Sequence, residues 1–439
     1  MKASMYNMYV EIDGNYVVFN TLNSKLYLVE GEIFRCLKNN YFEKGPVLES
    51  EEILANAGLI IDSEVDEINM FKHIVDKSIY DNNLRITIVL TANCNFRCQY
   101  CYQNKTNKRM SDEVENSIIK YIQKNIRGYK SVYIEWFGGE PLLEKKRLLR
   151  MSSTIKEICN QARVPYISSI TTNGYLLDKE TFTKLVESNC MYFQITVDGM
   201  GTLHDTLRPH VSGKGTFDKI IENLLVIKNM ESNERFTIAI RNNISKRHIK
   251  EYAAFYDFFE THFADDRRFI LIQKDIQNWG GDSVKEMAND LFEDDLEMLQ
   301  FLKENEGKIK QNYSDLHESI TNKLCYAFKK NGFAIDWDGS IYKCNKNIEN
   351  ERFKKKNYLG KIASNGTIKD NDPVSSIWLN KKFHDKCNTC ELLPICFTTG
   401  CPASWIMNQE MTCMKENNKD KNLVYTVERE FKENRYIKI

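Results

Sequence analysis

Six short apolar runs recur between residues 84 and 274, each separated from the next by a helical stretch. They are LRITIVLT (84–91), VYIEWFG (132–138), YISSITT (166–172), YFQITVD (192–198), RFTIAIRN (235–242) and RFILIQK (268–274). β-Branched and aromatic residues fill them, as in strands buried on both faces. The intervening segments, such as SDEVENSIIKYIQKNI and DKETFTKLVESN, space their apolar residues as one helix face does. Six strand–helix units predict an α/β fold, a partial (β/α)6 TIM-like barrel that is closed or nearly closed. The loops at the C-terminal ends of such strands are where chemistry is placed. The segment that forms the unit is 81–284.

Different textures flank it. Residues 8–29 alternate apolar and polar, with turn signals at Asp13-Gly14-Asn15 and Asn23-Ser24, so two or three antiparallel strands are expected. Three helical patterns follow, near EGEIFRCLKN, SEEILANAG and SEVDEINMFKHIVDKSIY, with Gly58 as a C-cap for the second. A small sheet with three helices predicts a winged helix-turn-helix-like domain over 1–80. Its seven Lys and Arg against thirteen Asp and Glu give a net charge of −6, which opposes contacts to nucleic-acid phosphates. A strand edge that receives an extended peptide fits better. Residues 285–323 read as a polar helical bridge. Residues 324–439 are loop-rich and cysteine-dense, with too little apolar periodicity to hold together by burial alone.

Thirteen cysteines occur in the 439 residues. The opening residues, MKASMYNMYVEIDGNYVV, lack the apolar core of a signal peptide, and no run is long enough to cross a bilayer. With 61 basic and 61 acidic residues there is no global field for nucleic acid or an anionic membrane, so a cytoplasmic protein is expected. In a reducing compartment, clustered cysteines read as metal ligands or catalysts and not as disulfides. Three of them fall within eight residues after the first strand, in CNFRCQYC: Cys94, Cys98 and Cys101. Three thiolates on one loop can hold three irons of a [4Fe–4S] cube and leave the fourth open. A structural zinc site wants a fourth ligand, which is missing locally.

This CxxxCxΦC motif after a first barrel strand, with Tyr100 as the aromatic, resembles the radical S-adenosylmethionine (SAM) superfamily. The resemblance implies that Cys94, Cys98 and Cys101 bind the cluster and that the methionyl amine and carboxylate of SAM chelate its open iron. One electron then cleaves SAM to a 5′-deoxyadenosyl radical, which abstracts a substrate hydrogen. An external donor of the flavodoxin or ferredoxin type would supply that electron.

The later strand ends suit this chemistry. In FGGEP (137–141), Gly138 and Gly139 lack a Cβ and allow the backbone close to a ligand. Glu140 is an acceptor for the methionyl ammonium, as in the family's matching residues. Ser169, Thr172 and Asn173, at the end of the third strand, are small donors and acceptors suited to ribose hydroxyls; Thr172 and Asn173 suit a helix cap equally. Thr196 and Asp198 end the fourth strand and point to the same mouth. Arg208 or Arg241 could neutralise the SAM carboxylate, which suits a planar guanidinium. His204 reads as structural.

A second array lies beyond residue 324. Thirteen residues separate Cys325 from Gly339, and four separate Gly339 from Cys344. Then come Cys387-x2-Cys390-x5-Cys396-x4-Cys401 and Cys413. Seven thiols exceed one tetrahedral site and nearly suffice for two more [4Fe–4S] clusters. The pattern resembles the iron–sulfur SPASM domain of radical SAM enzymes that modify peptides and proteins. It departs from that pattern in having four residues, where three are usual, before Cys401. The resemblance implies a first auxiliary cluster on Cys325, Cys344 and Cys401 and a second on Cys387, Cys390, Cys396 and Cys413, making three [4Fe–4S] clusters with the first.

The three parts together resemble maturases of ribosomally made peptides, and by length and order the streptide-forming cyclases among them. The implied partner is a precursor peptide with a leader, gripped by the N-terminal domain. The implied reaction is an intramolecular carbon–carbon crosslink between Lys and Trp side chains. Alternatives are a thioether-forming peptide maturase, an anaerobic sulfatase-maturating enzyme, and an iron–sulfur winged-helix redox regulator.

Overall fold

The computed structural model describes residues 1–42, 49–231, 235–278, 283–306, 324–346, 351–369, 372–380, 383–408, 413–416 and 418–439. The six expected strands are present as β6 (Asn83–Val89), β7 (Ser131–Phe137), β8 (Tyr166–Thr172), β9 (Cys190–Thr196), β10 (Thr237–Ile244) and β11 (Phe269–Asp275), after five shorter strands. They pair in parallel in simple sequence order. Right-handed crossovers through helices make this order the default for strand–helix repeats. Alternation along β7 shows why the interior is usable. Val132, Ile134 and Trp136 are buried, while Tyr133, Glu135 and Phe137 stay partly exposed on the other face. The inner face is thus polar and reachable.

The sheet does not close. The free side of β6 pairs in parallel with β12 (Gly332–Ile335), and β13 (Ser340–Tyr342) and β14 (Tyr358–Lys361) continue it antiparallel to nine strands. Cys325 precedes β12, and Cys344 follows β13 by two residues, so this extension brings both thiols beside the first barrel strand. Helical structure in the expected bridge covers Ser283–Asp290 and Asp295–Glu304, and 307–323 lies outside the described residues.

At the other end of the chain, β2 (Asn7–Ile12), β3 (Asn15–Asn20) and β4 (Lys25–Val29) form an antiparallel meander. Asp13 and Gly14 turn the first hairpin with φ of +49° and +77°, the left-handed pair that a two-residue hairpin needs. Helices α1 (Gly31–Lys38), α2 (Glu51–Asn56) and α3 (Glu67–Ile79) follow. Gly58, at φ +71°, ends the second as its pattern predicts. A two-stranded pair, β1 (Lys2–Ala3) with β5 (Ile60–Ile61), brackets them. The last strand, β15 (Ile437–Lys438), adds in parallel to β4.

The cysteine-dense region is not held by thiols alone. Leu392, Ile395, Leu423 and Val427 pack on Met8, Val10, Ile12, Val17, Phe19 and Leu26, so the N-terminal sheet lends this region a core. A second apolar cluster joins Tyr6 and Phe71 to Phe328, Phe397 and Trp405. Phe328 stacks on Phe397 at 5.4 Å and 11°, and Phe71 meets Phe397 edge-on at 6.0 Å. The expectation of weak burial came from local periodicity, which carries no signal of contacts nearly 400 residues apart in sequence. No helix among the described residues is long and apolar enough to cross a membrane.

Phe71 is fully buried between the two regions. Phe71→Ala is expected to cost about 3–5 kcal/mol, measured as a shift of the denaturant midpoint of the intact chain.

Candidate active site

The loop after β6 carries Cys94, Cys98 and Cys101, and it is tied down by backbone hydrogen bonds with two other loops and a side-chain bond from a third. The Gly139 and Glu140 amides donate to the Thr91 and Asn93 carbonyls, both at 2.8 Å. The Arg97 and Gln99 amides donate to the Pro209 and Leu207 carbonyls, both at 2.9 Å. The Asn173 side-chain amide donates to Asn95 Oδ1 at 2.8 Å, and the Val211 amide to the Asn95 carbonyl at 2.8 Å. GGEP, TTNG and HDTLRP, remote in sequence, therefore converge on the cysteine loop. The two glycines make room for it. A Cβ on Gly138, whose φ is +149°, would sit 2.7 Å from the Thr91 carbonyl oxygen, and one on Gly139 would overlap the Asn93 carbonyl. The close approach read from the sequence is thus an approach to the cysteine loop's own backbone.

A cavity of about 550 Å³ opens at the C-terminal ends of the strands, in the usual range for a small-molecule site. The three thiols, Tyr100, Gly138, Gly139, Thr172, Asn173, Thr196, Arg208 and Arg241 line it. Three predicted residues stand outside this lining. Glu140 is almost wholly buried, and its carboxylate accepts from Thr172 Oγ1 at 2.7 Å and from the Asn173 and Leu142 amides at 2.7 and 2.9 Å. It serves in this structure to clamp the ends of β7 and β8 together. Ser169 lies deeper in the sheet and accepts from the Tyr133 hydroxyl at 2.7 Å. Asp198 is fully buried behind Tyr100.

Asp198 organises a polar knot. It accepts a short hydrogen bond from the Tyr100 hydroxyl and two bonds from Asn243, from the backbone amide at 2.7 Å and the side chain at 3.1 Å. Arg208 donates to the same hydroxyl at 2.6 Å and sits 3.7 Å from the Asp198 carboxylate. Burial raises the pKa of Asp198, and Arg208 opposes that shift. The backbone amide of Asp198 donates to His204 Nδ1 at 3.0 Å, so the buried imidazole is neutral, its pKa driven well down by burial and then by Arg208. His204 thus fixes the backbone of Asp198.

Cys94 and Cys98 sit in an environment that resists ionisation, burial being the main cause for both. Burial and the neighbouring thiols push Cys98 up to about 12, with Arg208 opposing. Lys105 Nζ lies 2.9 Å from Cys101 Sγ and lines the cavity. Deprotonated sulfurs here call for a cationic group in place of the lost protons, as an iron–sulfur core provides. Arg208 Nε, which is buried, finds no hydrogen-bond partner among the described residues. A buried donor at the rim of a cavity suits an anionic group of a bound ligand. The donor set thus fits both the cluster and a carboxylate-bearing cofactor.

Seven of the remaining ten cysteines lie in two groups; Cys36, Cys159 and Cys190 stand apart from both. Cys325, Cys344 and Cys401 act on one another electrostatically; burial and then Cys325 push Cys344 up to about 12. Tyr326 and Asn345, their chain neighbours, line the main cavity, so this trio abuts it. Cys387, Cys390, Cys396 and Cys413 line a separate space of about 290 Å³. Among the described residues, no three His, Cys, Asp or Glu side chains close on a single metal ion. Sequence reasoning missed Lys105, Asn243 and Glu135, whose carboxylate lines the cavity and accepts from Thr87 at 2.8 Å. Each is a lone polar residue; only its place on an inward strand face or near Cys101 marks it.

Six parallel strands with a three-thiol loop at their C-terminal mouth define the class, and residues 88–255 match the Radical SAM superfamily. The chain carries a radical SAM domain, the kind that binds SAM and an iron–sulfur cluster. The cysteine-type anaerobic sulfatase-maturating enzyme of Clostridium perfringens is 25% identical over 328 residues, spanning 70% of this chain and 85% of that one. The solved structure of native anSMEcpe with bound AdoMet and Cp18Cys peptide covers 80% of this chain and 99% of its own, at 20% identity and a TM-score of 0.58. Streptococcus suis SuiB bound to precursor peptide SuiA covers 93% of this chain and 98% of its own, at 15% identity and a TM-score of 0.47.

Gly139→Ala is expected to push the cysteine loop off the sheet. The reconstituted protein should then carry less iron and absorb less visible light than the parent, at unchanged far-UV circular dichroism. An unchanged iron content would contradict the packing role given to this glycine.

Proposed function

We propose that this chain is a radical SAM maturase acting on a ribosomally made precursor peptide. The observation that carries the reading is the alignment of parts: a cavity bounded by a three-thiol loop on one side and by the neighbours of a second thiol trio on the other. Cys94, Cys98 and Cys101 would hold the cluster whose open iron takes SAM, which together supply a hydrogen-abstracting radical when bound. Arg208 and Arg241 would face the SAM carboxylate, and Gly138, Gly139, Thr172, Asn173 and Thr196 its remaining edges. Glu140 would act from beneath, by fixing Thr172 and Asn173. Cys325, Cys344 and Cys401 would hold one auxiliary [4Fe–4S] cluster, and Cys387, Cys390, Cys396 and Cys413 another; these supply electron transfer. A flavodoxin- or ferredoxin-type donor would feed the first.

The substrate side rests on two supports. The N-terminal meander ends in β2 on one side and in the short two-residue β15 on the other, edges to which an extended peptide could add, and a structure similar in fold holds a bound peptide. Within the cavity, Glu135 and Asp275 suit a lysine ammonium, and Phe137, Tyr102 and Tyr326 suit an indole. These support the Lys–Trp crosslink that the resemblance to streptide-forming cyclases implies. Maturation of a sulfatase is the second reading, favoured by the similarity to the Clostridium perfringens enzyme over most of its length.

Anaerobic incubation with SAM, a reductant and the peptide encoded beside this chain's gene tests the proposal. The expected products are 5′-deoxyadenosine and a peptide lighter by two hydrogens, joined through Lys and Trp in tandem mass spectra. Conversion of a sulfatase-derived Cys or Ser peptide to formylglycine instead would select the second reading. Cys94→Ala should abolish either product.

A further inference from the structure

The strand edge of the N-terminal sheet that flanks α1 is already taken. Ile437 and Lys438 pair in parallel with Tyr27 and Leu28, and the Ile439 amide donates to the Leu28 carbonyl at 3.0 Å. Ile439 packs against the apolar cluster of Val29, Ile33, Phe34 and Leu37, between β4 and α1. Tyr436 stacks on Phe431, at 4.9 Å and 26°, which aims the segment from the end of the helix Lys419–Lys432. This is strand addition by the chain to itself.

The hold is weak by construction. Only two of the five residues of β4 are covered. Ile437 is 46% exposed and Lys438 is exposed, so neither side chain adds much burial. A two-residue ladder contributes few hydrogen bonds, each of small net worth in water. The charge of the segment also suits its place: Lys438 pairs beside β4 of a domain of net charge −6, while Arg435 is held by Glu430 and Glu433 at the helix end. The segment thus displays what an incoming strand would need, an aliphatic anchor beside a cation.

We propose that Tyr436–Ile439 is an exchangeable placeholder, an internal competitor that an extended peptide must displace to add to β4. The proposal rests on the reading of this chain as acting on a bound polypeptide. The occupant that displaces it is an extended segment with an aliphatic residue at the Ile439 position and a basic residue before it. The tether gives the segment a local concentration on the order of millimolar, so it resists peptides below that concentration and yields to longer strands that use all of β4.

The test uses the chain's own segment as probe, so it does not depend on any precursor peptide. A fluorescein-labelled peptide of the sequence Asn434–Ile439 is titrated with the full chain, with the chain lacking Tyr436–Ile439, and with full-length Ile439→Asp. Anisotropy should report binding to both variants about tenfold or more tighter than to the parent. The same peptide with aspartate at the Ile439 position should not bind. Ile439→Asp keeps the fold intact should the deletion unfold it, as read by far-UV circular dichroism. Equal affinity for the parent and the folded variants, or no binding to a folded variant, overturns the proposal. Peptide binding as expected, with no precursor modified, would leave the placeholder standing and sink the functional reading alone.

Discussion

The structure depends on a set of backbone hydrogen bonds that fasten one loop. Residues 91–99 receive amide protons from the Gly138–Gly139–Glu140 turn and give their own to the carbonyls of Leu207 and Pro209. Side-chain bonding at Asn95 adds the end of β8. A loop carrying three thiols must be held rigidly if the thiols are to face one ligand, since pre-organised ligands avoid paying ordering entropy on binding. Main-chain groups do this better than side chains, because they have no rotamers to lose. The glycines at 138 and 139 are the condition for it: any Cβ there would strike the loop.

Electrostatics explain what the loop is for. The Cys94 and Cys98 thiols, beside a polar knot of Tyr100, Asp198, Arg208 and Asn243, are poor places for protons to leave without replacement. A cationic cluster core offsets that cost. The Asp198–Arg208 pair is close to neutral as a unit, so Tyr100 is positioned without a net buried charge. The same logic extends along the chain. Two further thiol groups exist, one beside the main cavity and one with Cys390 packed against the N-terminal sheet's core.

Much of the barrel was legible. The run read at 84–91 is Asn83–Val89, and that read at 192–198 is Cys190–Thr196, because parallel strands buried between helices are short continuous apolar runs. The hairpin at Asp13-Gly14 and the helix stop at Gly58 were legible for a stricter reason, since only certain residues tolerate positive φ. β12, β13 and β14 were not found: strands of three or four residues fall below what periodicity resolves. The packing of Leu392 and Val427 on the N-terminal sheet was missed because long-range contacts leave no local pattern. At the site, motif residues were found and lone partners were not. Glu135 and Asn243 differ from any other polar strand residue only by facing inward, and Glu140 and Asp198 proved to work from behind the cavity wall.

The central claim is that the loop of Cys94, Cys98 and Cys101 presents one open iron to SAM. Electron paramagnetic resonance of the reduced, reconstituted protein, recorded with and without SAM, addresses it directly. One component of the spectrum should change when SAM is added. In the Cys94/Cys98/Cys101→Ala variant that component should vanish and the SAM-insensitive components should remain. A SAM-dependent change that survives loss of all three thiols would contradict the account.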